Sequence, residues 1–437
     1  MPRALFLAIF ILWVSNAESQ TVFHSLSEVW SAAIKNNPNQ HIYRLRTSQL
    51  TYEYRAAQSY LYPQISGAFS GTDNLKLNVT PVPGELIGQP GKTLYLTFGK
   101  HYVYNGGVIA TENLFDWQYV FHSNIARENI TLNNLQQEAY QQSLKASAAQ
   151  YYFSSLVAAA SLRIADFDLR VADSILSAIG SRYAQGLVDI AAVHSAEINV
   201  NNVKQNIIQS SQLYTLSIQN LKILTGLTAR ETLSLDERLD IDTLSADTSS
   251  ALFPGPDKSL SVYAANVRLA ELEAKSEKAA AYPTLSISGF AGSQQFRDNF
   301  GLGFNNGDWN NYRYIQLNLG VPLFTGFYNR NKYRSAETLA RINAEQYRTA
   351  VEQGKINDSL LVTTYDNYRL LAAASARNLV LYRENVELSR QKFAEGMISV
   401  DSFQETFEEY LRAENAHLNN LSSLFSAMSS IISRNSN

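Results

Sequence analysis

The residues that could do chemistry are scattered through this sequence rather than gathered into a recognisable site. Six histidines lie at positions 24, 41, 101, 122, 194 and 417, and no two have the spacing of a metal-binding helix pair. Asp166 and Asp168 are two residues apart, so a helix would turn them to different faces. Gly301-x-Gly303 lacks the lysine of a phosphate-binding loop. No nucleophile and base can be paired, and we expect no catalytic, metal or cofactor site.

Composition excludes further classes of protein. The chain has no cysteine, which removes disulfides, thiolate metal sites and a cysteine nucleophile. Its 36 lysines and arginines against 39 aspartates and glutamates give a net charge of −3. With no basic excess there is no electrostatic case for binding nucleic acid.

The N-terminus has the pattern of an export signal. Arg3 precedes an apolar run at 4–14, and Ser15 and Ala17 provide a small-x-small cleavage site. The sequence therefore predicts a signal peptide over 1–17, with no following cysteine to carry a lipid anchor. Later apolar runs, such as 370–374, fall far short of the roughly 20 residues of a spanning helix.

The rest of the chain is an internal repeat. Three landmarks recur in the same order, at offsets of 209 to 220 residues. They are Tyr62-Pro63 with Tyr282-Pro283, the segment 113–116 with 322–325, and the turn 182–187 with 392–397. We expect a first repeat over 18–227, an acidic linker over 228–257 and a second repeat over 258–434.

Each repeat has the same predicted elements. A helical segment, 26–60 or 260–281, ends before a Tyr-Pro pair and is followed by two strands. A helix of about 70 residues, on the order of 100 Å long, then runs from Phe115 to Gly186 or from Phe324 to Gly396. The return helices carry heptads, which favour packing along their lengths. The heptad positions are Val193, Val200, Ile207, Tyr214 and Leu221, then Phe403, Tyr410, His417, Leu424 and Ile431.

The predicted strands favour a membrane protein over a soluble helical bundle. Ile315, Leu317, Leu319 and Val321 alternate with polar residues, which predicts a strand with one lipid-facing side. Alternation at 94–98 predicts another such strand, while 80–91 and 301–311 look like exposed loops. Four strands per chain are too few to close a membrane barrel, so several chains must build it together.

This arrangement resembles the TolC-like outer membrane efflux protein family. The resemblance rests on the Tyr-Pro strand entries, the 322–326 exit into the long helix and the paired glycine turns. It implies a mainly α fold with a transmembrane β part: a homotrimer whose twelve-stranded barrel in outer membrane lipid continues as a long-helix periplasmic α-barrel. It also implies an exit duct for efflux or type I secretion, joined by a periplasmic adaptor to an inner-membrane pump or ABC exporter.

The glycine turns are the predicted functional positions. Glycine permits the left-handed geometry of a tight reversal, and apolar Leu187 and Met397 follow Gly186 and Gly396. An ordinary helix end without a partner would look the same; by resemblance these four residues dock the adaptor.

Three acids just beyond the turns, Asp189, Asp401 and Glu405, are predicted to line the periplasmic aperture and favour cations. Ser402 stands where the best-known members carry an acid, and Ile398 where some carry arginine, so the resemblance does not extend to their acidic ring and closed-gate lock. A periplasmic helical scaffold without a channel, or an envelope enzyme, remains the alternative function.

Overall fold

The computed structural model describes residues 20–239, 252–305 and 307–435. The predicted signal peptide and residues 240–251 of the predicted linker lie outside them. The elements are β1 (Gln20–Phe23), α1 (Leu26–Asn36), α2 (Pro38–Ala57), β2 (Gln64–Asp73), β3 (Val79–Pro83), β4 (Thr93–Thr97), β5 (Tyr102–Phe115), α3 (Trp117–Ala184), α4 (Ile190–Leu224), β6 (Thr232–Leu235), α5 (Ser259–Ala279), β7 (Thr284–Arg297), β8 (Asn310–Gly320), α6 (Tyr328–Ala394) and α7 (Val400–Asn435).

The chain divides into two compact units. A helical unit comprises Met1–Leu45, Asn134–Val262 and Arg348–Asn437, and a sheet unit comprises Arg46–Asn133 and Tyr263–Tyr347. The 68-residue α3 and the 67-residue α6 contribute to both. None of the described helices combines the length and apolar composition needed to cross a membrane.

The sheet unit contains an antiparallel sheet in the order β2-β5-β7-β8, two strands from each repeat. Cross-strand pairing gives it two unlike faces, because side chains alternate along each strand. One row across all four strands is apolar: Ile65, Ala110, Gly289 and Ile315. The next row, on the opposite face, is polar: Gln64, Thr111, Ser288 and Gln316.

Two predictions in the first repeat are wrong. The alternating segment at 94–98 forms β4, but β4 pairs only with β3 in a separate two-stranded sheet. The five residues of β4 are too few to run the length of the four-stranded sheet. The 14-residue β5 is the second strand that the first repeat contributes to it. The tract at 80–91 is not all loop, because it supplies most of β3 and a 3₁₀ turn at Gly84–Ile87.

The first helical segment is also interrupted. Asn37 separates α1 from α2, and its side-chain oxygen accepts a hydrogen bond from the Asn39 amide at 2.9 Å. The Asn37 side-chain nitrogen donates to the Leu224 carbonyl at 3.0 Å. Pro38 begins α2, where its missing N–H is harmless. The prediction of one helical segment over 26–60 is therefore wrong, because the segment contains two helices, α1 and α2.

The core of the helical unit follows the predicted heptads. Phe403, Tyr410, Leu424 and Ile431 of α7 are all buried, as are Val200 and Leu221 of α4. His417 occupies the same α7 seam and is 1% exposed, with Nδ1 2.9 Å from the Ser375 hydroxyl. A histidine with no ligand spacing is expected at a surface or an interface, and that expectation is wrong for His417, because the heptad register places its side chain in the core.

A short parallel sheet in the helical unit was missed. β1 pairs with β6 across 212 residues, from Gln20 with Thr232 to Phe23 with Leu235. Phe23 and Leu233 bury their side chains with Tyr152 and Leu221. Strand β6 lies within the stretch predicted as a linker, where four residues give too little periodicity to be recognised.

Candidate functional site

The first turn, residues 182–187, ends α3 with a left-handed glycine. Gly186 has φ +71°. Its amide donates to the Tyr183 carbonyl at 2.9 Å, and the Leu187 amide donates to the Arg182 carbonyl at 2.9 Å. This pair of bonds is a Schellman motif, which satisfies carbonyls that the ending helix would leave open. We call this segment the first tip.

The second turn, residues 392–397, repeats the same geometry at the end of α6. Gly396 has φ +75°. Its amide donates to the Phe393 carbonyl at 3.1 Å, and the Met397 amide donates to the Lys392 carbonyl at 2.8 Å. This second tip therefore has the reversal predicted from its glycine.

The side chain of Arg182 connects the two tips. Arg182 of the first tip donates from Nη2 to the Phe393 carbonyl at 3.1 Å, and its guanidinium lies 4.0 Å from the centre of the Phe393 ring. Phe393 in turn stacks on Phe403 of α7 with ring centres 5.1 Å apart. Nearby, buried Gln404 donates from Nε2 to the Ala192 carbonyl at 3.0 Å. These bonds hold the first turns of α4 and α7 beside the tips.

The residues after the glycines are apolar and open to solvent. Leu187 and Met397 are each 68% exposed. Each lies at the position whose side chain commonly packs back on the last helical turn of a Schellman motif. Their exposure leaves two apolar side chains free for an outside contact.

The three predicted aperture acids have different local roles. Asp189 is the N-cap of α4, and its carboxylate accepts the Ala192 amide at 3.0 Å. Asp401 lies in the first turn of α7, and Glu405 lies one turn further; both are exposed. Ser402 bonds through its amide to the Ser399 hydroxyl at 3.2 Å, and Ile398 packs against the core. Of the three acids, Asp189 therefore also caps a helix.

The predicted lipid-facing residues lie in the sheet unit. Ile315, Leu317 and Leu319 belong to β8, whereas Val321 follows its last residue. All four are exposed in the single chain. Leu317 pairs with Ile287 and Leu319 with Leu285, which extends the apolar face onto β7. On the other face Asn318 donates to the Ser288 hydroxyl at 3.3 Å.

A buried polar cluster in the helical unit escaped the sequence analysis. Asp168 of α3 and Glu414 of α7 are 2% and 5% exposed, and they are hydrogen-bonded to each other and to Tyr410. Burial raises the pKa of both carboxyl groups, that of Glu414 to about 9. Glu414 lies seven residues after Phe407 and seven before Leu421, so a charge inside the heptad was the available signal. Among the described residues, no group of three or more His, Cys, Asp or Glu side chains could hold a metal ion.

Comparison with known proteins gives these features a context. The model of the family described as outer membrane efflux protein matches residues 29–227 and 256–432. The cation efflux system protein CusC of Escherichia coli O157:H7 is 22% identical over 395 residues, covering 88% of this chain and 80% of CusC.

Solved structures agree with that match at the level of the fold. A membrane protein from Pseudomonas aeruginosa superposes with a TM-score of 0.75 at 16% identity, covering 95% of this chain and 91% of the other. The Campylobacter jejuni CmeC outer membrane channel gives 0.73 at 16% identity, over 94% and 85%.

Proposed function

This chain belongs to the outer membrane efflux protein family, and from that premise we propose that it is the exit duct of an efflux or type I secretion system. Members of the family are outer membrane proteins that extend into the periplasm, and the predicted TolC-like fold is confirmed. In our proposal the chain conducts passively and does no catalysis of its own. An inner-membrane pump or ABC exporter supplies the cargo.

The observation that carries the proposal is the four-stranded sheet with an apolar face and two unpaired edges. Strands β2 and β8 are the outer strands of that sheet. Hydrocarbon has no water to satisfy open backbone groups, so an inserted sheet must pair its edges. Three copies, each contributing four strands, would pair β2 of one chain with β8 of the next and close a twelve-stranded barrel.

A cysteine scan tests this closure directly. The native chain has no cysteine, so a disulfide formed by variants with one cysteine on β2 and one on β8 has no background. We expect disulfides between β2 of one chain and β8 of another, and a trimer by native mass measurement in detergent. A monomer or dimer recovered from the soluble periplasm would overturn the duct and favour a helical scaffold.

Lipid exposure of the apolar face has a matched test on adjacent residues. Leu317→Arg would bring a charge toward hydrocarbon, and near the bilayer midplane this costs about 2–4 kcal/mol. Asn318→Arg changes the opposite face and should disturb assembly less. Trimer yield measures both variants, and a larger loss for Asn318→Arg would reverse the assignment of the two faces.

We propose that the two tips dock a periplasmic adaptor. Leu187 and Met397 present exposed apolar side chains at turns whose backbone is fixed by Gly186 and Gly396. Photo-crosslinkers at positions 187 and 397 should capture the adaptor in cells, whereas crosslinkers at exposed Tyr183 provide a nearby comparison. Crosslinks confined to other copies of this chain would contradict docking.

The exposed acids beside the tips suggest a cation-favouring aperture. We propose that Asp189, Asp401 and Glu405 contribute negative charge there, as acidic rings do in cation channels. Neutralising Asp401 and Glu405 together should lower the cation preference of the purified channel in planar bilayers. Asp189 is left intact because its carboxylate caps α4. An unchanged preference would remove these acids from the aperture.

A further inference from the structure

The buried polar cluster of Asp168, Tyr410 and Glu414 joins the two repeats inside the helical unit. Asp168 belongs to α3 of the first repeat, and Tyr410 and Glu414 belong to α7 of the second. All three side chains are at most 5% exposed. The proposed duct function makes no use of them.

Hydrogen bonding within the cluster requires a proton. The carboxyl groups of Asp168 and Glu414 are hydrogen-bonded to each other, and two ionised carboxylates have no hydrogen to share. One oxygen of each, Asp168 Oδ1 and Glu414 Oε2, is buried without a hydrogen-bond partner. An uncompensated second negative charge would therefore be poorly solvated here.

The surrounding charges balance one carboxylate but not two. The Arg383 guanidinium of α6 acts on both acids and lowers the pKa of each. Tyr410 of α7 donates to Asp168, and burial together with the charges of Asp168 and Glu414 raises the pKa of its phenol. His417 lies one turn along α7 and bonds to Ser375 of α6. Among the described residues, the groups whose charge or hydrogen bonds shift the pKa of either acid lie on α3, α6 and α7.

We propose that Asp168 and Glu414 form a buried proton-binding site that holds one proton at neutral pH and ties α3 to α7. With that proton present, the cluster contains one carboxylate, one carboxylic acid and one guanidinium, and it is electrically balanced. Loss of the proton leaves two carboxylates facing each other across the seam between the repeats. The site is thus a proton-dependent link between α3 and α7.

The titration behaviour agrees with this geometry. Desolvation is the main cause that raises the pKa of Glu414 to about 9, followed by the charge of Asp168. A carboxyl whose pKa is higher in the folded protein than in the unfolded chain stabilises the fold fully below its ordinary pKa. That contribution falls as the pH rises, until the folded-state pKa is passed. Stability from this site should therefore decline between about pH 4.5 and pH 9.

Infrared difference spectroscopy of the purified full-length protein reads the proton directly. At pH 7 the wild type should show the C=O stretching band of a protonated carboxylic acid that Glu414→Gln lacks. The band should disappear on titration through about pH 9. Asp168→Asn removes a like charge, so the band should then titrate at a lower pH. Wild-type and Glu414→Gln spectra without this difference at pH 7 would overturn the proposal.

Thermal unfolding supplies the second readout. Raising the pH from 7 to 10 should lower the wild-type Tm more than that of Glu414→Gln, whose amide cannot ionise. Glu409→Gln, an exposed position on the same helix, is the matched control and should retain the wild-type dependence. A Glu414→Gln protein with the full wild-type pH dependence would refute the site. If this variant does not assemble, the wild-type infrared titration, compared with Asp168→Asn, decides.

Discussion

The two tips have the same backbone but different surroundings. Gly186 and Gly396 have φ values within a few degrees of each other and close the same pair of hydrogen bonds. Yet Phe393 of the second tip is 6% exposed, whereas Tyr183, the residue three before the glycine in the first tip, is 45% exposed. The repeat therefore duplicates the turn but not its packing, and the second tip is the anchored one.

The largest effect is expected from replacing the aromatic residue that lies three positions before each glycine. Phe393→Ala removes a ring that stacks on Phe403 and lies beneath Arg182, so the loss should approach the roughly 3–5 kcal/mol typical of a buried phenylalanine. Tyr183→Ala, on an exposed ring, should change stability by about 0.5 kcal/mol. Denaturant unfolding in detergent compares the two. Equal losses would mean that both tips are anchored alike.

Glycine substitution tests the shared backbone. Gly186→Ala and Gly396→Ala should each cost about 1–2 kcal/mol, because alanine is strained at positive φ even though a Cβ at either position would meet only open space. Gly180→Ala, within α3, also has open space and should instead stabilise by about 0.5–1 kcal/mol. Unfolding midpoints of the three variants are compared. Unequal costs at the two tips would contradict their common geometry.

Arg182 is the residue that makes the first tip depend on the second. Arg182→Met removes the hydrogen bond to the Phe393 carbonyl and the contact with its ring, so we expect a loss of about 1–2 kcal/mol. Lys392 is its counterpart in the second tip, and Lys392→Met should have less than half that effect. Spin labels at 187 and 397 should also report a broader distance distribution in Arg182→Met. An unchanged distribution would show that Arg182 does not hold the tips together.

The smallest losses of stability are expected from changes at the N-caps of α4 and α7. Asp189→Ala should destabilise α4 by about 1 kcal/mol through loss of the bond to the Ala192 amide. Asp189→Asn keeps an acceptor and should lose only a few tenths. Ser399→Ala is the equivalent change before α7 and should resemble Asp189→Ala. Thermal melts at low and high salt would show a salt dependence for Asp189 alone, since only its cap is charged. Equal salt dependence at both caps would contradict this.

Local patterns predicted the features that depend on local rules. The heptads predicted the buried α7 seam, and the glycines predicted the left-handed turns at 186 and 396. Alternation at 315–319 predicted β8 with its apolar face. Each follows from spacing within one element, which the sequence records directly.

Features that depend on partners far along the chain were not predicted from the sequence. Asp168 was compared with its neighbour Asp166, but its carboxyl partner is Glu414 on another helix, 246 residues away. The segment at 94–98 alternates as well as a strand of the large sheet, and only pairing distinguishes β4 from β5. Strands β1 and β6 are four residues each, so their parallel pairing has no local signature.

The open edges of the large sheet also bear on the life of a newly made chain. Until β2 and β8 find partners, each copy carries unpaired backbone beside exposed Ile65 and Ile315. Such an edge is a template for pairing with the wrong chain. In the proposed trimer, correct closure needs three copies to meet, whereas mispairing needs only two. Dilute chains should therefore keep their edges open for longest, and mispairing should compete most strongly with closure when the chain is scarce.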